Sequence, residues 1–177
     1  MMSYYQSGLG AKQIVFVLTL VFVLPFLLVV CALYLSSGTV SFKMPALIAC
    51  LTLPVALFLL YQINSAKVEI DQNRLIVGGG VYREEIPLNE VKLAETVKLD
   101  SGALSQIMGF RTNGIGMPGF RLGWFSGKQG KKLFALITNG DVVKISTTRS
   151  YDLVVSVPSA NAFLSQMATP SANQPKE

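Results

Sequence analysis

Hydrophobic positions follow two different rhythms along this chain. Up to Ile63 they are continuous: Ile14–Leu35 and Met44–Ile63 are runs of 22 and 20 residues without a charge. A helix rises about 1.5 Å per residue and needs about 20 apolar residues to cross the hydrocarbon of a bilayer, so each run predicts a membrane span. Only Ser36–Lys43 separates them, which predicts a two-helix transmembrane hairpin (14–35 and 44–63). Pro25 and Pro54 fall near the middle of the two runs and predict kinks, which neighbouring helices in a membrane tolerate. Paired interruptions also occur at transport sites. Two helices cannot enclose a path, however, and no ionisable residue lies within either run. A signal peptide has a shorter apolar core, about 7–15 residues. The stretch Leu47-Ile48-Ala49-Cys50 looks like a lipoprotein cleavage box but lies inside the second run.

After Ile63 the rhythm changes to alternation with period two, the mark of strands with one buried face. Val68, Ile70, Leu75 and Val77 bracket a polar turn at Asp71–Arg74. Gly78–Gly80 is a second turn, and Val81–Ile86 a third strand. Lys92–Leu99, Phe120–Phe125, Lys132–Thr138 and Val142–Ser146 follow as strands. Gly109–Gly119, with four glycines and a proline, reads as a long loop. Asn139-Gly140 signals a tight hairpin. Pro158–Met167 reads as a helix whose apolar face includes Phe163. The polar segments 1–13 and 169–177 read as disordered tails. Residues 66–168 are thus expected to be an α+β, mainly β domain, a small antiparallel barrel or sandwich capped by its C-terminal helix.

Charge sharpens this picture. All ten acidic residues lie after Lys67, and from Lys67 onward thirteen Lys/Arg stand against them, a net of +3. That excess suits a surface facing anionic lipid and falls short of a nucleic-acid-binding stripe. Lys12, Lys67 and Arg74 flank one side of the hairpin and Lys43 the other, which by the positive-inside rule places both termini in the cytoplasm. Cys31 and Cys50 both lie in the apolar runs and read as small packing residues. The chain has no histidine, the commonest general base and a common metal ligand.

At this point the residues resemble a known family. Ile86-Pro87-Leu88-Asn89-Glu90-Val91 looks like the entry to the third strand of bacterial pleckstrin-homology-like (PH-like) domains. The segment from Arg111 to Phe125 (RTNGIGMPGFRLGWF) resembles the central signature of one branch. Tyr151–Leu164 is similar to its strand-then-helix finish. The resemblance covers about residues 66–168 and implies a seven-stranded bent barrel closed by a C-terminal helix, often attached to short membrane spans, and no reaction. The basic first hairpin by which some eukaryotic relatives hold phosphoinositides is poor here, with Arg74 its only cation, so inositol-lipid binding does not carry over.

Candidate chemistry narrows further. Gly114–Gly119 matches G-x-G-x-x-G, but Pro118 interrupts it and a strand follows where the dinucleotide fingerprint needs a helix N-terminus. Gly127-Lys128 lacks the upstream glycine of a P-loop. Glu84 and Glu85 are neighbours on a strand and point to opposite faces. Ser126, Ser146 and Ser150 have no histidine to activate them. Neither an enzyme nor a cofactor is expected. The remaining candidate is Gly109–Gly130, where Arg111, Arg121, Lys128, Lys131 and Lys132 mingle with Phe110, Phe120, Trp124 and Phe125. Arg and aromatic residues are enriched at binding hot spots, while a structural reading splits Trp124 and Phe125 between core and surface and gives the glycines to sharp bends. The expected protein is a membrane-anchored, non-catalytic module that binds a protein partner or assembles at the membrane. The alternative is a sensor of anionic lipid headgroups; a small transporter subunit fits less well.

Overall fold

The structure is a computed structural model that describes residues 2–6, 11–37, 43–71, 73–128 and 130–168. It contains two compact units, Gly8–Asn64 and a second formed by Met1–Ser7 with Ser65–Glu177.

The first unit is helical. α1 (Ala11–Val17) continues through a π-helical segment, Leu18–Val23, into α2 (Leu24–Ser37), and α3 spans Lys43–Asn64. The π segment ends next to Pro25, whose ring crowds the preceding turn and whose nitrogen carries no proton. Widening that turn, with Leu24 N–H donating to the Thr19 carbonyl, relieves the crowding without breaking the helix. Pro54 lies inside α3, which runs unbroken past it. Two helices here, Ile14–Ser36 and Lys43–Asn64, are long and apolar enough to cross a membrane. α2 and α3 touch each other. Much of the turn expected between the two apolar runs lies outside the described residues.

The second unit holds two sheets. The smaller has the order β1 (Met2–Gln6), β2 (Lys67–Asp71), β3 (Arg74–Gly79), β4 (Tyr82–Pro87), all antiparallel. The sequence pattern anticipates β2, β3 and β4. Strand β1 falls in the stretch read as a polar tail, and the structure corrects that reading: Met2 stands opposite Ile70 and Gln6 opposite Lys67. Val68, Leu75, Val77 and Ile86 are fully buried, as the alternation requires of one face.

The larger sheet contains β5 (Val97–Leu99), β6 (Met108–Met117), β7 (Phe120–Gly127), β8 (Lys132–Ile137), β9 (Asp141–Ile145) and β10 (Tyr151–Val157), in the order β5-β9-β10-β8-β7-β6. A short helix, α4 (Ser101–Ile107), enters between β5 and β6, its N-terminus capped by Asp100 accepting from Ala103 N at 2.6 Å. Lys92–Leu99, expected as one strand, instead divides into a 3-10 turn, Leu93–Glu95, and the short β5.

Two expectations are overturned. Among the described residues no strand ladder joins the two sheets, so the PH-like β-barrel expected from the sequence is not closed. Nor is it wholly antiparallel: β10 lies between β8 and β9 and pairs with β8 in parallel. The cause is legible in β10 itself. Leu153, Val154, Val155 and Val157 are fully buried, and a strand covered on both faces is placed best with neighbours on both edges. Asn139-Gly140 therefore makes no tight hairpin. It turns under the end of β10, where a Cβ on Gly140 would come within 2.6 Å of the Val157 carbonyl oxygen.

The chain closes with α5 (Ala160–Ala168), which buries Ala160, Phe163 and Met167 against β9 and the 3-10 turn. Its first turn is tied to β9 by Asp141, which accepts from Ala160 N at 3.0 Å and pairs with Lys98 at 2.8 Å. The Lys98 ammonium first, and the Ala160 amide second, hold the Asp141 carboxyl below its ordinary value of 3.8. A lowered folded-state value means stabilisation that is present above the ordinary value and lost as pH falls through the folded one. Hydrogen exchange of the α5 amides in the full chain should therefore be slower in the wild type than in Asp141→Asn at neutral pH, and the gap should close in acid below 3.8. A gap that persists unchanged through acid would show that Asp141 does not secure the helix.

Candidate functional site

The residues singled out in the sequence do not form a loop. Gly109–Gly119 lies almost wholly in β6, paired to β7 with Arg111 opposite Phe125, Asn113 opposite Trp124 and Gly116 opposite Arg121. The glycines serve that pairing. Gly114 and Gly123 face each other with φ of +130° and +126°, and a Cβ on either would come within 2.8 Å of the other's Cα. Side chains are excluded there because the two backbones cross closely at a bend, a role for glycine inside strands that composition cannot separate from a loop.

The pairing divides the candidate residues. Phe120 is buried, and Trp124 is half-buried, edge-on to Phe134 at 5.1 Å and to Tyr151 at 4.9 Å. Both belong to the body of the domain. Arg111 and Arg121 stand exposed on the opposite face of the hairpin, since their partners Phe125 and Gly116 alternate with those of Trp124. Arg111 extends its guanidinium over Gly116, and Arg121 reaches the Met108 sulfur at 3.7 Å. Lys128, in the turn after β7, donates to the Ser105 carbonyl at 2.9 Å. Lys131 is drawn away to Asp152 at 3.1 Å, and Lys132 is exposed at the start of β8. The structure thus groups Arg111 with Arg121, places Lys128 at the far end of the same hairpin, and separates Lys131, Lys132, Phe120 and Trp124 from them.

The ion pairs give this grouping its meaning. Lys67 pairs with Glu69, Arg74 and Arg83 with Glu85, Lys92 with Glu95, Lys98 with Asp141, Lys131 and Lys144 with Asp152, and Arg149 with Glu90. Among the described residues of the sheet unit, the cations without an acidic partner are Arg111, Arg121, Lys128 and Lys132. The mild positive excess is therefore concentrated on β6, β7 and the start of β8. Beside it, Phe110 is 74% exposed on β6, the outermost strand of its sheet. Of the four rings the sequence offers in this stretch, Phe110, Phe120, Trp124 and Phe125, Phe110 is the one the fold leaves uncovered.

On the smaller sheet an open hollow of about 590 Å³ is lined by Asp71, Asn73, Arg74, Ile76, Arg83, Glu85 and Pro87. Both of its arginines reach Glu85, at 3.7 and 2.5 Å, which leaves it little net charge for an anion. The two sheets meet through side chains. Tyr151 donates to Glu84 at 2.6 Å while accepting from Arg149 at 3.0 Å, and Tyr82 donates to Asn113 at 2.8 Å. Burial and the Glu84 carboxylate push the Tyr151 hydroxyl above its ordinary value, which keeps it a donor.

Comparison with known proteins places this geometry. The family model described as a bacterial PH domain matches residues 66–168, more than half of the chain, and the chain belongs to that family. PH domains are in general non-catalytic binding modules. No curated protein and no solved structure matches the chain.

If the glycines hold the hairpin crossing, Gly114→Ala should destabilise the domain by at least about 1–3 kcal/mol, from a strained backbone and a Cβ against the Leu122 carbonyl. Denaturant titration of the full chain in detergent measures this; a loss under about 0.5 kcal/mol, the scale of an ordinary surface change, would mean the crossing opens freely.

Proposed function

We propose that the chain is a membrane-anchored, non-catalytic binding module: a two-span hairpin of the bacterial inner membrane carrying a cytoplasmic PH-like domain that docks a protein partner on its β6–β7 hairpin. The observation that carries this reading is the coincidence, on the β6–β7 hairpin, of an outermost strand β6 carrying the exposed Phe110 ring and Arg111, with Arg121 beside them on β7, both arginines without acidic partners. An open edge offers hydrogen bonds to an added strand, and the arginines favour an acidic one. A lipid surface offers the charge but no strand, so the edge favours a protein. The four unpaired cations keep anionic lipid as the second reading, each contributing about 1 kcal/mol near an anionic leaflet.

The anchoring rests on exposure and connectivity. Only 6% and 17% of the most apolar stretches of the two long helices are buried, against the near-complete burial of a soluble core helix. Gln6 and Lys67 are register partners, so the chain leaves and re-enters at one sheet edge. Two spans in opposite directions satisfy that condition; a single span does not. Lys12, Lys67 and Arg74 set that side as the cytoplasm.

A photocrosslinker in place of Phe110, in native membranes, should capture a protein, and the adduct should be lost in Arg111→Gln/Arg121→Gln/Lys128→Gln. Adducts to lipid alone would favour the second reading, and no adduct to either would leave the hairpin structural. With Cys31 and Cys50 replaced by Ala, a cysteine at Ser36 should react with an impermeant thiol reagent in intact cells and one at Asn161 should not. The reverse pattern would invert the topology.

A further inference from the structure

A second site lies apart from the edge strand, at the C-terminal end of α4. A cleft of about 310 Å³ opens between the 3-10 turn at Leu93–Glu95, the end of α4 and the starts of β8 and β10. Its floor is apolar, from Ile107 and Leu133, and its walls carry Lys92, Lys131 and Lys144 against Glu95 and Asp152. Glu95 is engaged by Lys92 at 3.0 Å. Asp152 is the hub: its side chain is 6% exposed, and its carboxylate accepts from Thr147 N and Lys131 at 3.1 Å each and faces Lys144 at 3.5 Å.

Lys144 is the telling residue. Its side chain is only 20% exposed, yet its one acidic contact is longer than the 2.7–2.9 Å usual for a charge-assisted bond. The stem of Lys144 is largely covered, and its ammonium brings three donors to the wall of the cleft with one distant acidic acceptor. Lys131 is held beside it by the same carboxylate and by the Thr147 carbonyl at 3.0 Å. Two ammoniums fixed around one buried carboxylate leave one positive charge uncompensated at a pre-formed concave site. We infer that this cleft binds the oxyanion of a phosphomonoester, which supplies two charges and several acceptors to Lys144, Lys131 and Lys92. The small volume and polar walls suit a compact headgroup. The shared chemistry has two sources, a soluble phosphomonoester or the headgroup of a lipid such as phosphatidic acid.

The test uses the full chain, in detergent and in nanodiscs, titrated with inorganic phosphate and glycerol 3-phosphate and compared between phosphatidic acid and phosphatidylcholine nanodiscs. Binding is read by calorimetry and by the shift in thermal unfolding. Response to the soluble probes assigns a soluble ligand, and response to phosphatidic acid alone assigns the lipid; either supports the site. Lys144→Gln should weaken binding about tenfold, the scale of one charge-assisted hydrogen bond. Arg83→Gln, on the smaller sheet, should leave it unchanged. Asp152→Asn, where it folds, should tighten binding, because it frees both ammoniums; weaker binding by that folded variant would overturn the proposal. So would equal affinity in Lys144→Gln and wild type, no response to any phosphate source, or a response that chloride reproduces at equal ionic strength.

Discussion

Two neighbouring residues at the start of β10 tie the sheet-bearing unit together. Tyr151 and Asp152 point to opposite faces of the larger sheet, as adjacent strand residues must. On one face the Tyr151 ring meets Trp124, and its hydroxyl reaches across to Glu84 of the smaller sheet. On the other, Asp152 gathers Lys131, Lys144 and the Thr147 amide. Because no ladder joins the two sheets among the described residues, the first contact does by side chain what a closed barrel does by backbone. The second holds charge at a place where bare apolar sheet would otherwise meet α4. Both depend on β10 being seated between β8 and β9, with the same pairing delivering each residue to its face.

The distribution of charge follows from that arrangement. Among the described residues every acidic side chain of this unit except Asp71 is committed to a cation, to Tyr151 or to a helix cap, so partnerless cations collect where acids are absent. That place is the β6–β7 hairpin and the start of β8, a segment without Asp or Glu from Ser101 to Gly140. A net charge of a few units, unremarkable as an average, becomes a local field because its compensation lies elsewhere.

Much of this was legible in the sequence, and the misses have physical causes. Alternation at Val68, Ile70, Leu75 and Val77 located β2 and β3, and the polar break at Asp71–Arg74 located their turn. The family was legible in Arg111–Phe125 and in the Tyr151–Leu164 finish. The glycines of Gly109–Gly119 read as a loop because a residue without Cβ serves both a loop and a close strand crossing. The parallel pairing of β8 with β10 is a long-range choice that Asn139-Gly140, a purely local signal, could not report. Met2–Gln6 has little apolar alternation and owes its strand to an edge supplied by β2. The Asp152 cleft is assembled from five segments; its one sequence trace is an acidic residue opening an otherwise apolar run, Tyr151–Val157.

The pairing of β1 with β2 also sets an order of events. Gln6 leaves the ribosome before its partner Lys67, which is about sixty residues behind it, after both apolar helices. The edge of the smaller sheet therefore stays open throughout synthesis of the helical unit, and closing it costs the entropy of a long loop unless those helices are already formed. Once the helices stand side by side, the loop is effectively short and β1 finds its place cheaply. Completion of the sheet becomes a report that the helical unit has been assembled, and a chain stalled before that stage presents β2 as an unpaired edge.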